Sequence, residues 1–177
     1  MRRLILLRHA KTERDAPSGR DQDRRLDDRG RQDGAEIGRW LALHDYRPDL
    51  ALFSSAVRTQ ETWELLRAAL PATRARHLPE LYGADTSELL RIIHGMAPTD
   101  PQRLLIIAHN PGLHELALGL ISGGDPAGRR ALDANLPTAG VAIIDFATGD
   151  WEDVRFRSGR LERFVSPKLL REESDSD

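Results

Sequence analysis

The chain has 177 residues, 40% of them hydrophobic, which is the size and composition of one compact domain. Lysine and arginine total 26 against 28 acidic residues, so we expect no nucleic-acid or membrane partner. Cysteine is absent, which excludes disulfides, thiolate nucleophiles and cysteine-ligated zinc. The N-terminal apolar run, residues 4–7, is too short for a signal peptide or a membrane span, and we expect a cytoplasmic protein.

The first half of the chain alternates apolar runs with helical patterns. Residues 4–7 predict a buried strand, and residues 13–28, dense in aspartate and arginine, indicate an exposed loop or a lid over a pocket. Apolar residues then recur at helical spacing over 31–43. A second strand is predicted over 50–53 and a second helix over 56–70.

The next predicted elements continue the alternation. A helix is predicted over 87–96, capped by Asp85 or Thr86, and a strand over 104–108. A further helix should begin at Asn110, with Pro111 in its first turn, and should end at the glycine pair 123–124.

The C-terminal part predicts a hairpin and a tail. Strands over 141–146 and 151–156 are separated by a four-residue turn and should pair antiparallel at one edge of the sheet. Residues 1–168 should form one domain, and the acidic residues 169–177 a disordered tail. The alternation predicts an α/β fold, a three-layer α/β/α sandwich with a mostly parallel central sheet and an antiparallel edge.

Polar residues directly follow three of the predicted strands. Arg8 and His9 follow the first, Ser54 and Arg58 the second, and His109 the third. Because ligands bind outside the carboxyl ends of the strands in open α/β sheets, we expect these side chains to share one crevice. Arginine pairs bidentately with phosphate and stays charged, and nearby helix N-termini add partial positive charge. The cluster predicts a phosphate pocket.

His9 is the candidate nucleophile of this pocket. Without cysteine or a metal-ligand cluster, the attacking group must come from serine, histidine or water, and a neutral imidazole is available at pH 7. His109 is the candidate transition-state stabiliser. A single histidine or arginine is more often structural, so the prediction depends on the clusters occurring together. Four histidines without metal-ligand spacing are interpreted as structural or solvent-facing: His44, His77, His94 and His114.

Four ordered motifs resemble the histidine phosphatase superfamily. They are Leu-Ile-Leu-Leu-Arg-His-Ala-Lys at 4–11, Arg-Leu-Asp-Asp-Arg-Gly at 25–30, Ser-Ser-Ala-Val-Arg-Thr-Gln-Glu-Thr at 54–62 and Ala-His-Asn-Pro at 108–111. Their order and spacing are most similar to the short SixA-like phosphohistidine phosphatases. The resemblance implies a phosphohistidine intermediate on His9, a phosphate pocket of Arg8, Arg58 and His109, and neither a metal nor an organic cofactor.

Two positions, Ala10 and Glu80, differ from the pattern of this superfamily or of its larger members. Ala10 stands where the superfamily usually has glycine after the Arg-His pair, although a small residue is kept. Larger relatives such as the phosphoglycerate mutases carry a glutamate general acid on a long insertion. Glu80 lies in a comparable place, and it is either a general acid or an ordinary loop carboxylate.

Three functions are compatible with these residues. The leading hypothesis is hydrolysis of phosphohistidine on a partner protein, since its leaving imidazole can carry its own proton. The nearest rival is a phosphatase of small phosphoesters, such as a sugar phosphate or a nucleotide, with Glu80 as the acid. From another class, the domain could bind phosphoproteins as a sensor without turning them over. The sequence leaves the oligomeric state open.

Overall fold

A computed structural model describes residues 1–176 and contains seven strands and six helices. The strands are β1 (Arg2–Arg8), β2 (Leu50–Phe53), β3 (Arg74–His77), β4 (Arg103–Ala108), β5 (Ile121–Gly124), β6 (Val141–Phe146) and β7 (Gly159–Val165). The helices are α1 (Asp28–Leu43), α2 (Val57–Arg67), α3 (Thr86–His94), α4 (Gly112–Leu120), α5 (Pro126–Ala134) and α6 (Pro167–Ser176).

The strands form one sheet in the order β3-β2-β4-β1-β6-β7-β5. β1 to β4 are mutually parallel, while β6 is antiparallel to both of its neighbours, β1 and β7. β5 pairs in parallel with β7 at the edge of the sheet. The predicted fold class, an α/β sandwich with a mostly parallel sheet, is therefore confirmed, and β6 lies inside the sheet near one edge.

Two hydrophobic cores lie on opposite faces of the sheet. In β1, Leu4 and Leu6 belong to the core under α3, α4 and α5, whereas Ile5 and Leu7 belong to the core under α1 and α2. Because helices cover both faces, all four side chains are fully buried. This burial explains why the sequence shows a continuous apolar run here and not an alternating one.

Side-chain caps set the starts of the helices beside the site. Asp27 caps α1 by accepting a hydrogen bond from Gly30 N, and Asp85 caps α3 with a capping box. The cap of α4 is Pro111, one residue beyond the predicted start, and the Asn110–Pro111 peptide is cis. α4 also ends earlier than predicted, because residues 121–124 pair with β7.

The predicted strand over 151–156 is wrong. Residues 151–153 form a short 3₁₀ helix, and the strand that pairs with β6 is β7, further along the chain. The Trp151 side chain is fully buried, and its Nε1 donates a hydrogen bond of 2.6 Å to the Pro101 carbonyl. Asp150 accepts from Glu152 N, which favours a turn over an extended strand at this point.

The predicted disordered tail is also wrong for residues 169–176, which belong to α6. Leu169 N donates to Ser166 Oγ, and Leu169 and Leu170 pack against the two cores. Arg171 pairs with Asp33 of α1 at 3.4 Å. Leu169 and Leu170 allow this segment to pack against the domain. The prediction of disorder followed the acidic residues around them and overlooked this apolar pair. Asp177 lies outside the described residues. Within residues 1–176, no helix is both long and apolar enough to cross a membrane.

Candidate active site

The structure brings Arg8, His9, Arg58 and His109 together at the carboxyl ends of β1, β2 and β4. Arg8 is the last residue of β1 and lies beside Ala108 in the parallel register with β4, so the residues that follow each strand are neighbours. The rings of His9 and His109 are 5.4 Å apart between centroids. Arg58 lies in the first turn of α2, directly after β2.

His9 is held with one particular nitrogen available for chemistry. Its side chain is buried, and Nδ1 lies 2.8 Å from the carbonyl oxygen of Ala10. A carbonyl oxygen can only accept a hydrogen bond, so Nδ1 carries the proton in this contact. In the neutral ring the lone pair is then on Nε2, the nitrogen that can act as a nucleophile.

The environment of His9 also keeps the ring neutral. Burial is the main cause that lowers the pKa of His9 to about 3; the nearby His109, Arg58 and Arg8 act in the same direction, and the bond to Ala10 opposes them. At neutral pH the imidazole is therefore unprotonated at Nε2. An imidazolium would have no lone pair with which to attack phosphorus.

The peptide of Ala10 is fixed from α2 through Thr62. Ala10 N donates to Thr62 Oγ1 at 3.1 Å, and Thr62 Oγ1 donates to the Arg58 carbonyl at 2.7 Å. Ala10 is fully buried in the core under α1 and α2. The methyl group that replaces the usual glycine is therefore accommodated by packing, and the carbonyl that contacts His9 remains in place.

A buried serine, Ser54, holds the ring of His109. Its Nε2 lies 2.7 Å from Ser54 Oγ, which also contacts Thr59 Oγ1 at 2.9 Å and accepts from Ala56 N at 3.2 Å. Burial is the main cause that lowers the pKa of His109 to about 4, and the charge of Arg58 adds to it. Ser54 therefore contacts both the backbone just before α2 and the ring of His109, which it helps to position.

Three buried nitrogen atoms of this cluster have no hydrogen-bond partner among the described residues: Arg8 Nε, Arg58 Nε and His109 Nδ1. The arginine nitrogens are obligate donors, and a histidine nitrogen donates when it carries a proton. Buried polar groups are almost always paired in folded proteins, so the unpaired nitrogens concentrated here set this cluster apart. The charges of two neighbouring arginines favour an anion as its ligand.

The two arginines are also held close to each other. Arg8 Nη1 donates to the Leu136 carbonyl at 3.2 Å, which orients the guanidinium at the end of β1. The pKa of Arg8 is lowered, first by burial and then by the positive charge of Arg58. Two like charges in a buried pocket favour an anion that neutralises both.

Asp21 and Tyr82 complete the cluster, and the sequence analysis did not identify either. The Asp21 backbone carbonyl and Oδ2 accept from Nη1 and Nη2 of Arg58, both at 2.9 Å. Tyr82 donates to the same Oδ2 at 2.8 Å, and its ring meets the His109 ring edge-on at 5.6 Å. Asp21 belongs to the segment 13–28 that was predicted as a loop or a lid, so a turn of this segment lies against the pocket.

The structure does not bring Glu80 into contact with the other candidate residues. It lies exposed on a short 3₁₀ turn, Pro79–Leu81, and its carboxylate makes no hydrogen bond or ion pair with the described residues. Tyr82, two residues further on, is the member of this connection that contacts the pocket. The role of Glu80 as a general acid stays a prediction.

The four other histidines make contacts away from this cluster. His44, His94 and His114 each hydrogen-bond a backbone carbonyl, of Trp40, Val154 and Leu132 respectively, and His77 stacks on Phe53. In residues 1–176, no group of three or more histidine, aspartate or glutamate side chains is arranged to hold a metal ion.

Comparison with known proteins agrees with this geometry. The sequence profile of the histidine phosphatase superfamily (branch 1) matches residues 4–88. A chloroplastic Arabidopsis thaliana protein, described as uncharacterized, is 31% identical in an alignment that covers 94% of this chain and 78% of that protein. The chain therefore belongs to the histidine phosphatase superfamily, and it is a phosphatase.

Solved structures place it near one branch of that superfamily. A crystal structure assigned as the phosphohistidine phosphatase SixA of Agrobacterium tumefaciens has a TM-score of 0.79 and 30% identity, covering 94% of this chain and 98% of that one. A structure with the same assignment from Nakamurella multipartitia has a TM-score of 0.78 and 26% identity, covering 94% and 96%. Within the superfamily, the chain is similar to SixA-like phosphatases.

Proposed function

We propose that the protein hydrolyses phosphohistidine on a partner protein in two steps, through a covalent phosphohistidine intermediate on His9. One observation carries the proposal: Arg8, Arg58 and His109 lie close to a His9 ring that is neutral and whose Nδ1 is committed to the Ala10 carbonyl. The two guanidinium groups can pair with phosphoryl oxygens, and Nε2 is free to attack the phosphorus atom.

In the first step, His9 Nε2 forms a bond to phosphorus as the bond between phosphorus and the substrate imidazole breaks. Arg8 and Arg58 stabilise the charge on the phosphoryl oxygens, and His109 stabilises the group as it crosses between the two nitrogens. The Ala10 carbonyl accepts from Nδ1 throughout this step, so the ring does not have to change its tautomer.

In the second step, water attacks the phosphorus atom of phospho-His9 and releases inorganic phosphate. The phosphorylated ring carries positive charge when Nδ1 is protonated, and the contact with the Ala10 carbonyl stabilises that form. The imidazole then leaves as a neutral ring, ready for another cycle. We propose that both steps proceed without a metal or an organic cofactor, because two arginines supply the cationic groups.

The choice of substrate depends on the mouth of the pocket. The connection 78–85 between β3 and α3 is short, and no bulky domain is inserted there to enclose a small metabolite. A site without such an enclosure suits a phosphorylated side chain on a protein surface. The likeness at 30% identity to a protein assigned as a phosphohistidine phosphatase supports the same choice. A cytoplasmic location stays a prediction of the sequence.

The small-phosphoester alternative keeps the same pocket and depends on Glu80. This carboxylate is exposed and unpaired within the described residues, close in sequence to Tyr82 at the pocket. A substrate that binds there could receive a proton from it, which contributes about 10²- to 10⁴-fold in rate for a poor oxygen leaving group.

A substrate panel tests the proposal. We expect phosphate release from a phosphohistidine-bearing protein, in EDTA, to exceed release from sugar phosphates and nucleotides, and we expect His9→Ala to abolish it. His77→Ala is the matched control, because His77 is exposed and its ring stacks on Phe53 and not on a residue of the pocket. Preference for a small phosphoester would favour the alternative, and loss of activity in EDTA would contradict the metal-independent mechanism.

A further inference from the structure

Asp21 is a carboxylate at the pocket whose charge the proposed phosphoryl transfer does not use. Three donors engage its side chain: Arg58 and Tyr82 at Oδ2, and Arg24 at Oδ1, all at 2.8 to 2.9 Å. An ionised carboxylate has about four acceptor positions, so one position remains free on Oδ1. These bonds, that of Tyr82 first, hold the pKa of Asp21 well below its usual range, so Asp21 is an acceptor at neutral pH and no source of protons.

A chain of contacts through His109 and Tyr82 separates Asp21 from His9. The His9 ring neighbours the His109 ring, and the His109 ring in turn neighbours Tyr82, which bonds to Asp21. Phosphoryl transfer requires the attacking and leaving atoms to lie roughly in line on opposite sides of phosphorus. Asp21 and Tyr82 are thus candidates to meet a leaving group that departs on the side opposite His9.

The solvent exposure of the side chains also distinguishes Asp21 and Tyr82 from the rest of the cluster. The side chain of Arg58 is 7% exposed, whereas that of Asp21 is 50% exposed and Tyr82 is 37% exposed. Asp21 and Tyr82 are thus the most exposed members of the cluster, and we take them to mark the side from which the body of a substrate reaches the arginines.

From this arrangement we infer that Asp21 selects the leaving group: its carboxylate accepts a hydrogen bond from the distal ring nitrogen of the phosphohistidine in the substrate. The inference rests on the proposed function and names the feature of the substrate that the site recognises. A carboxylate beside an aromatic ring suits a planar, cationic group and repels a leaving group that carries a carboxylate or a second phosphate.

The chemistry balances without any further reactant. The phosphorylated imidazole binds with a proton on its distal nitrogen, and Asp21 stabilises this cationic form. When His9 Nε2 bonds to phosphorus, the electron pair of the breaking P–N bond returns to the leaving imidazole. The leaving ring departs neutral, with its distal proton still in place, so no protein acid is required.

Two substrates with different leaving groups test the inference. We compare a phosphohistidine peptide with 4-nitrophenyl phosphate, whose phenolate leaves without protonation and offers no N–H. Asp21→Asn should lower kcat/KM for the phosphohistidine peptide by about tenfold or more, the effect of losing one charge-assisted hydrogen bond. The same substitution also loosens Arg58, so kcat/KM for 4-nitrophenyl phosphate should fall as well, but by a factor several times smaller, and the readout is the ratio of the two kcat/KM values.

The matched control is Asp23→Asn. Asp23 belongs to the same 3₁₀ turn, but its carboxylate pairs with Ser18 and Arg20 and not with the pocket. This control should leave the ratio of the two kcat/KM values unchanged. Equal losses on both substrates for Asp21→Asn would overturn the inference, because Asp21 would then act only by positioning Arg58. Inactivity of the wild type on phosphohistidine would instead overturn the proposed function.

Discussion

At the scale of single residues, one backbone carbonyl fixes the tautomer of His9, the proposed nucleophile. Ala10 fixes the proton on Nδ1, and burial among Arg8, Arg58 and His109 keeps the ring from taking a second proton. Together these two effects leave a lone pair on Nε2 at neutral pH. A histidine of identical sequence context on the surface would have neither constraint and would titrate near 6.5.

The ring nitrogens of His9 can be observed directly. Because burial disfavours the charged form, we expect the pKa of His9 to lie near 3, so the ring stays neutral from pH 8 down to about pH 5. Long-range proton–nitrogen NMR spectra should show the Nδ1-H tautomer over this range. A titration midpoint near 6.5, or an Nε2-H tautomer, would contradict the geometry on which the nucleophile assignment depends.

Single residues also show which parts of the site could be predicted from the sequence and which could not. Arg8, His9, Arg58 and His109 each follow a recognisable apolar strand, so their meeting at one sheet edge is predictable. Asp21 was missed because it lies within a run of mixed charges, where nothing local distinguishes it from Asp23 or Asp28. Its contact with Arg58 depends on the path of the loop, which the bridge between Thr12 and Leu26 helps to fix.

At the scale of secondary-structure elements, α2 connects His9, the proposed nucleophile, to Arg58, the proposed phosphate-binding arginine. Thr62 receives the Ala10 amide and donates to the Arg58 carbonyl one turn earlier in the helix. The Leu26 amide, at the end of the loop that carries Asp21, donates to Glu61 of the same helix. The end of β1 and this loop are thus both hydrogen-bonded to α2.

A substitution in α2 tests this connection. Thr62→Val keeps the side-chain shape but leaves the buried Ala10 amide unpaired, which should lower the free energy of unfolding by about 1–3 kcal/mol. It should also lower kcat more than it raises KM, since the Ala10 carbonyl orients the His9 ring. Urea unfolding and steady-state kinetics measure the two effects.

Thr73→Val provides the comparison for that variant. Thr73 Oγ1 donates to the Pro48 carbonyl just before β3, at the amino end of the strands and away from the pocket. It should alter stability with little change in kcat. An unchanged kcat in the Thr62 variant would show that Ala10 holds its position without the helix.

At the scale of the whole molecule, burial determines which elements the sequence reveals. The strands β1, β2, β4 and β6 are covered on both faces and appear as apolar runs, so their positions are predicted to within a few residues. β3 is an edge strand whose four side chains, in the sequence Arg-Ala-Arg-His, are all exposed, and β5 contains two glycines, so neither has an apolar pattern. Residues 151–156 have apolar spacing that resembles a strand, but Trp151 anchors a turn instead.

The whole fold nevertheless serves one small region. A mostly parallel sheet brings three strand ends to one edge, and helices on both faces bury the apolar strands that hold them there. In the proposed mechanism, a covalent phosphoenzyme forms on His9 at this edge of the sheet. Every role assigned to Arg8, Arg58, His109 and Asp21 depends on it.

Trapping that intermediate is the most direct measurement. A phosphohistidine-bearing protein is mixed with the enzyme, quenched with alkali within milliseconds and digested, and the phosphorylated peptide is sequenced by mass spectrometry. We predict one phosphoryl group on Nε2 of His9, absent from His9→Ala and present in His77→Ala. Continued turnover by His9→Ala, or a phosphoryl group on Ser54 or another residue, would contradict the account.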